Sequence, residues 1–217
     1  SPQIVLLGTS FTALPKFNFD GFLREALGKD VMNVAMTGGE DRGAWLEYLP
    51  SDGFQKAPPK LIIWETPSHY SLSDKSLFRQ LIPLVDNGCA NSTPIMEGKQ
   101  EIQPTAGQNE LVFSQELLKE KAGELVMDMT VSDPTVHELE VTAWYGNGTS
   151  EAFKVKQNSR ANTGGRFVFL LAQDESRHDQ SFISLDLTKV KSTESKVSIA
   201  TKVCRQNEQP GLQTARR

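Results

Sequence analysis

The tetrapeptide Gly8-Thr9-Ser10-Phe11 follows directly on the apolar run Ile4-Val5-Leu6-Leu7. In an open α/β sheet, ligands bind outside the carboxyl ends of the strands. A serine on a sharp turn there can expose its Oγ as a nucleophile while backbone N–H groups face a developing oxyanion. The motif is not the G-x-S-x-G elbow, because Thr12 stands where the second glycine belongs. Taken alone, Gly-Thr-Ser equally well opens an ordinary helix or turn. Two more apolar runs end in groups that a shared catalytic rim needs. Residues 31–35 lead to Gly38-Gly39, whose N–H groups are oxyanion donors in such a site, and Leu61-Ile62-Ile63-Trp64 leads to Glu65 and then Ser68-His69-Tyr70.

A second kind of chemistry is suggested by Thr142-Ala143-Trp144-Tyr145. Strand alternation puts Thr142 and Trp144 on one face and Ala143 and Tyr145 on the other. Trp144 is then either the core of a β-domain or an exposed platform for stacking on a sugar ring.

The elements that position these groups fall into two sets. Up to about residue 86, apolar runs of strand length alternate with stripes of helical spacing: Phe19, Phe22, Leu23, Ala26, Leu27; then Trp45, Leu46, Leu49; then Leu77, Phe78, Leu81, Ile82, Val85 behind Ser73-Asp74. Strand and helix in alternation with short links predict a parallel sheet with helices on its faces. From Glu110 the pattern changes to alternating stretches at 111–113, 125–131, 139–145, 167–171, 182–187 and 197–203. Turn signals such as Ser132-Asp133-Pro134 and Gly146-Asn147-Gly148 separate them. Six or more such strands predict a β-sandwich. The expected organisation is an α/β part over 1–88, a sandwich over 89–207 and a loose polar tail over 208–217.

Composition excludes several classes. The chain has 217 residues, 23 basic and 27 acidic side chains and a net charge of −4, so no general attraction to nucleic acid is expected. No apolar run approaches the ~20 residues of a membrane helix, so no membrane insertion is expected. Cys89 and Cys204 lie in no Cys/His cluster, so no metal site is expected. They bracket the second half of the chain. That placement fits either two buried free thiols or a bridge joining the end of the second domain to its beginning. Ser1-Pro2-Gln3 runs straight into a core strand with no signal peptide, as in a chain cut in front of that strand.

Serine on the first strand with a glycine-bearing loop after the second resembles the SGNH hydrolase superfamily of esterases and acetyl-transferring enzymes. Longer stretches resemble the AlgX and AlgJ family of alginate O-acetylation proteins: Leu7-Gly8-Thr9-Ser10-Phe11, then Phe17-Asn18-Phe19-Asp20-Gly21-Phe22-Leu23, then Asn33-Val34-Ala35, and Pro58-Pro59-Lys60-Leu61-Ile62-Ile63-Trp64-Glu65. The β-rich second half points to the AlgX type, in which a carbohydrate-binding module follows the SGNH hydrolase-like domain.

This resemblance implies a periplasmic O-acetyltransferase acting on mannuronate residues of alginate, with Ser10 as nucleophile, Ser10, Gly38 and Gly39 as oxyanion donors, and Arg42 and Tyr70 beside them. It implies no cofactor beyond an acetyl donor that the sequence does not identify. Its module would hold polymannuronate through Thr142 and Trp144 with basic partners among Lys154, Lys156, Arg160 and Arg166, while Glu140 and Ser150 stand where a basic residue would help. The periplasmic setting favours a Cys89–Cys204 bridge. Implied protein partners belong to the alginate acetylation and export apparatus, such as an AlgK-type lipoprotein scaffold.

One departure matters. The family's Asp-x-His pair, which supplies the general base, is absent; the three histidines are His69, His137 and His178. The base is therefore expected from a segment ahead of Ser1. The alternative is a non-catalytic alginate-binding or scaffold protein that keeps the fold without the chemistry.

Overall fold

In the computed structural model, which describes residues 3–104, 107 and 109–207, strand β1 (Ile4–Leu7) is buried along its whole length. Its four apolar side chains have neighbours on both faces because β1 is the middle strand of a parallel sheet, between β2 (Val31–Asn33) and β3 (Leu61–Trp64). The short helices α1 (Ser10–Ala13), α2 (Phe19–Leu27), α3 (Gly43–Tyr48) and α4 (Asp52–Lys56) fill the connections. α3 covers one face of the sheet, with Ala44 and Tyr48 against Val5 and Leu7. α2 stands beside the other face and buries none of its residues; Phe11, Phe17, Phe19, Phe22, Leu27 and Met32 form an apolar surface open to solvent.

Helix α5 (Lys75–Val85) starts where Ser73-Asp74 predicts a cap: the Asp74 carboxylate accepts from the Ser76 N–H at 2.8 Å. After it the chain forms two four-stranded sheets, all antiparallel. One has the order β5 (Asn109–Phe113), β10 (Phe182–Val190), β7 (Glu138–Tyr145), β8 (Ser150–Lys156). The other has the order β4 (Met96–Ile102), β11 (Val197–Arg205), β6 (Leu125–Val131), β9 (Arg166–Leu170). Their inner faces share one core in which Met127, Met129, Phe167, Phe169, Tyr145 and Phe182 are fully buried. The expected sandwich is present. Sequence periodicity did not indicate β4 and β8, and both are edge strands. The expected tail, 208–217, lies outside the described residues.

The two sets of elements share a second core. Leu46 and Leu49 of α3 region and Leu77, Leu81 and Leu84 of α5 pack on Val126, Val168 and Leu170, which point outward from the β4-β11-β6-β9 sheet. Cys89 and Cys204 are bonded within this cluster, with Cα atoms 5.7 Å apart across 115 residues of sequence. The bridge reading is therefore the one observed. Gly88, where α5 passes into the sandwich, has φ +60, and a Cβ there would come within 2.7 Å of Asp128 Oδ2. Only glycine suits both constraints.

No described helix is long and apolar enough to cross a membrane.

Candidate functional site

Ser10 is the first residue of α1, at the carboxyl end of the central strand, and is partly exposed. The turn before it is held by Glu65 at the end of β3. One carboxylate oxygen, Oε2, accepts from the Thr9 N–H at 2.8 Å, the Thr9 hydroxyl at 2.9 Å and the Thr12 hydroxyl at 3.0 Å. Thr9 and Thr12 are buried, so these donors depend on Glu65 for acceptors. Gly8 is required by the same packing: a Cβ on it would lie 2.7 Å from Glu65 Oε2 and 2.9 Å from the Thr12 hydroxyl. From the opposite side, Asn33 donates to the Thr12 carbonyl at 3.1 Å, and the Met36 N–H donates to the Gly8 carbonyl at 3.0 Å. The ends of all three strands are thus tied around the serine turn.

The loop after β2 brings Gly38 and Gly39 to this rim. The Gly39 N–H closes a turn onto the Met36 carbonyl at 3.2 Å, whereas neither the Gly38 nor the Ser10 N–H donates to an acceptor among the described residues. Of the three expected oxyanion donors, Ser10 and Gly38 therefore have N–H groups with no acceptor among the described residues, and Gly39 does not.

Arg42 caps α3 and is only 8% exposed. Its Nε donates to Asp41 at 3.1 Å and its Nη2 to Asp74 at 3.3 Å; its Nη1 is buried without an acceptor among the described residues. Tyr70 lies near the same loop. Burial, and then the negative charges of Glu40 and Asp41, push its phenol above the usual value, so it stays a proton donor at neutral pH. His69 is exposed and packs on the Tyr70 ring, with centroids 4.3 Å apart. No histidine hydrogen-bonds to Ser10 among the described residues; His137 and His178 belong to the sandwich half.

On the sandwich, Ala143 and Tyr145 point into the core and Trp144 is 38% exposed. Tyr145, not Trp144, is the aromatic of this pair in the core; its hydroxyl reaches Glu151 and the Leu171 carbonyl, each at 3.0 Å. Trp144 lies in a cross-strand row with Ser150, Ser184 and Phe113, and Phe113 is 56% exposed. Two strand spacings, ~10 Å, separate these aromatic residues. The next row holds Ala152, Thr142, Asp186 and Glu110. The indole N–H donates to Asp186 at 2.6 Å, which fixes the ring's orientation.

Beyond it, Lys154 bridges Glu138 and Glu140 at 3.3 and 3.1 Å, and Lys189 approaches Glu140 at 3.5 Å. Burial works to raise the Glu138 carboxyl, but Lys154 and its neighbours outweigh it and hold that carboxyl below its usual value. Thr142, Trp144 and Lys154 therefore share one outward face. Arg166 does not join them. It lies in the other sheet, where it pairs with Asp128 at 2.6 Å and donates to Asn87, holding the junction after α5.

Two features of the site escaped sequence reasoning. Glu65 carried only the weak signal of a polar residue at a strand end. Asn158 carried none, and Arg160 was legible only as one of several basic side chains for the polymer, with no sign of its place: Asn158 donates to the Gly38 carbonyl at 3.0 Å, and Arg160 lies alongside Gly38, bringing the sandwich half onto the rim of the serine site.

Comparison with known proteins matches residues 1–68 to the model of an SGNH hydrolase-like domain of the acetyltransferase AlgX, and residues 88–216 to that of a C-terminal carbohydrate-binding module. The alginate biosynthesis protein AlgX of Pseudomonas aeruginosa is 40% identical over 204 residues, covering 94% of this chain and 42% of that protein. This chain therefore spans less than half the length of that relative. A probable alginate O-acetylase, AlgJ of Pseudomonas aeruginosa, is 43% identical over 79 residues, covering 36% of this chain and 20% of the relative. A solved structure of Pseudomonas aeruginosa AlgX superposes with a TM-score of 0.82 at 39% identity, covering 95% of this chain and 50% of the other.

Proposed function

This chain belongs to the AlgX family, joining an SGNH hydrolase-like stretch to a C-terminal carbohydrate-binding module, and we propose that it serves in the O-acetylation of mannuronate residues of alginate in the periplasm. The observation that carries this reading is the serine turn itself. Ser10 stands at the end of the central strand on a turn fixed by three hydrogen bonds to Glu65.

The chemistry has two steps. The Ser10 Oγ gives its proton to a base as it attacks the acetyl carbonyl of a donor, and the intermediate collapses to the acetyl-serine ester as the base returns that proton to the departing leaving group. A sugar hydroxyl then attacks that ester and gives its proton to the same base, which passes it to the departing Ser10 Oγ, so that the serine hydroxyl is regenerated with the acetyl group on the sugar. Each step passes through an oxyanion, for which the Ser10 and Gly38 N–H groups are the donors at hand. The Arg42 Nη1 and the protonated Tyr70 phenol are further donors beside the rim.

The base is a residue outside these 217, as the Asp-x-His pair of the family would be. The open apolar surface of Phe11, Phe17, Phe19 and Phe22 is a suitable place for that segment to dock. The disulfide favours an oxidising compartment. The face bearing Thr142, Trp144 and Lys154 holds the polymer, and other proteins of the export apparatus, an AlgK-type scaffold among them, receive it. A binding or scaffold role without catalysis is the second reading, favoured by the absence, among the described residues, of a histidine bonded to Ser10.

Ser10→Ala in the full-length protein separates the two. Loss of acetyl transfer to mannuronate oligomers with an unchanged melt is the expected result. Near-normal transfer would sink the covalent mechanism.

A further inference from the structure

We infer that Arg160, a residue of the sandwich half, binds a carboxylate of the polyuronate chain at the rim of the Ser10 site, so that the module contributes directly to acceptor recognition there. The inference rests on the proposed function and adds to it a specificity residue.

The position is well defined. Asn158 is buried, its amide N–H donates to the Gly38 carbonyl at 3.0 Å, and its side-chain oxygen accepts from the Arg160 N–H at 2.8 Å. A neighbouring contact, from the Asn162 N–H to Glu47 at 2.9 Å, ties the same loop to α3. The loop is therefore clamped to the α/β half on both sides of Arg160. From there the arginine side chain runs over the glycine turn: a Cβ placed on Gly38 would lie 3.5 Å from Arg160 Cγ and 3.6 Å from its Nε. Gly38 has a φ of +73 and carries one of the N–H groups left free at the rim.

The charge is equally specific. Arg24, Arg42, Arg79, Arg166, Arg177 and Arg205 each pair with a carboxylate in this structure, at distances from 2.5 to 3.1 Å. Among the described residues, Arg160 is the arginine with no carboxylate partner, and it is exposed. A planar guanidinium with its N–H donors open matches a carboxylate bidentately. The exposed aromatic row is bordered by Asp186 and Glu110, and the lysines beyond it are shared with Glu138 and Glu140, so that face offers a uronate little uncompensated positive charge. Arg160 offers one.

The test uses the full-length protein with two acceptors, a mannuronate oligomer and its fully methyl-esterified, uncharged counterpart. Arg160→Ala is expected to raise KM for the charged oligomer roughly tenfold or more, the size expected for one lost charge-assisted contact. KM for the esterified oligomer should stay within twofold. Arg160→Lys should recover part of the loss, the salt dependence of KM should flatten in Arg160→Ala, and the melting temperature should not move. Equal KM changes for both acceptors, or none for either, would overturn the inference. A parallel Ser10→Ala control keeps the two ideas apart. Transfer that survived that change would remove the serine chemistry, while the charged-to-neutral ratio would still report on Arg160.

Discussion

Removing the Glu65 carboxylate tests whether the serine turn is held as the geometry indicates. In Glu65→Ala, the Thr9 N–H and the Thr9 and Thr12 hydroxyls lose a common acceptor within contacts of 2.8–3.0 Å. Both threonines are buried, and a buried donor left without an acceptor costs about 1–3 kcal/mol. The two hydroxyls can rotate to other acceptors and the peptide N–H cannot, so the change is expected to cost about 2–4 kcal/mol in all. At ~2–4 °C per kcal/mol for a protein of this size or larger, the melt of the α/β half should fall by roughly 4–16 °C.

The geometry also specifies a coupling. Gly8→Ala places a methyl group 2.7 Å from the same Glu65 oxygen and 2.9 Å from the Thr12 hydroxyl. Removing the carboxylate leaves room for that methyl, so the double variant should be less destabilised than the sum of the singles, by about 1 kcal/mol or more. Denaturant unfolding of the four proteins measures the cycle. Strict additivity, or a Glu65→Ala melt within 1 °C of the parent, would refute Glu65 as the organiser of the turn.

Further outcomes follow from other contacts. Trp144→Ala should weaken binding of a mannuronate oligomer by ~1–3 kcal/mol, as for loss of other aromatic stacking platforms, and should shift the melt little because the ring is already 38% exposed; isothermal titration beside a thermal scan reads both. Reducing Cys89–Cys204 opens a loop of 115 residues, which the chain-entropy model values at about 5 kcal/mol, so a scan in reductant should show a clearly lower melting temperature. Asp74→Ala should cost ~1 kcal/mol through the lost cap of α5. Burial tends to raise the Asp74 carboxyl, but the Ser76 bonds and Arg42 prevail and hold it below its ordinary 3.8. That contribution is present above 3.8 and is lost as pH falls through the lower, folded value. Melts of parent and variant should therefore converge at acid pH, and a gap that persists unchanged there would contradict the assignment.

Much of this organisation is legible in the residues, and the exceptions have physical causes. Ile4–Leu7 reads as a buried strand because nothing but apolar side chains suits a strand covered on both faces. Ser150–Lys156 and Met96–Ile102 do not read as strands because edge strands carry lysine, glutamate and glutamine, which protect an open hydrogen-bonding edge. Alternation in Thr142-Ala143-Trp144-Tyr145 fixes which residues share a face. It cannot say which face turns inward when both carry an aromatic; the partners of the Tyr145 hydroxyl settle that. Arg166 looked available for a uronate because composition does not reveal Asp128, 38 residues away in sequence and 2.6 Å away in space. The same holds for Glu65 beneath Ser10.

The sandwich has two outer faces, and burial leaves different uses for them. On the β4-β11-β6-β9 sheet, Val126, Val168 and Leu170 are covered by the leucines of α5, and the disulfide lies in the same cluster. Arg79 extends that contact around to β8: buried, it pairs with Glu151 at 2.5 Å and lies 3.6 Å from the centre of the Phe153 ring. Taking away one partner of such a buried pair strands the other, typically at a cost of 3–5 kcal/mol. A hinged, freely moving module would need a small and polar contact between the halves. Here a leucine cluster, a buried ion pair and the Asn158–Gly38 bond act together, so α5 belongs to the packing of the sandwich as much as to the sheet that holds Ser10. If the polymer rests on the outer face of the β5-β10-β7-β8 sheet, as proposed, this packing holds it at a fixed distance and angle from the serine. Loss of Trp144 should then change how long an oligomer must be to be acetylated well, whereas a freely hinged module would show no such length threshold.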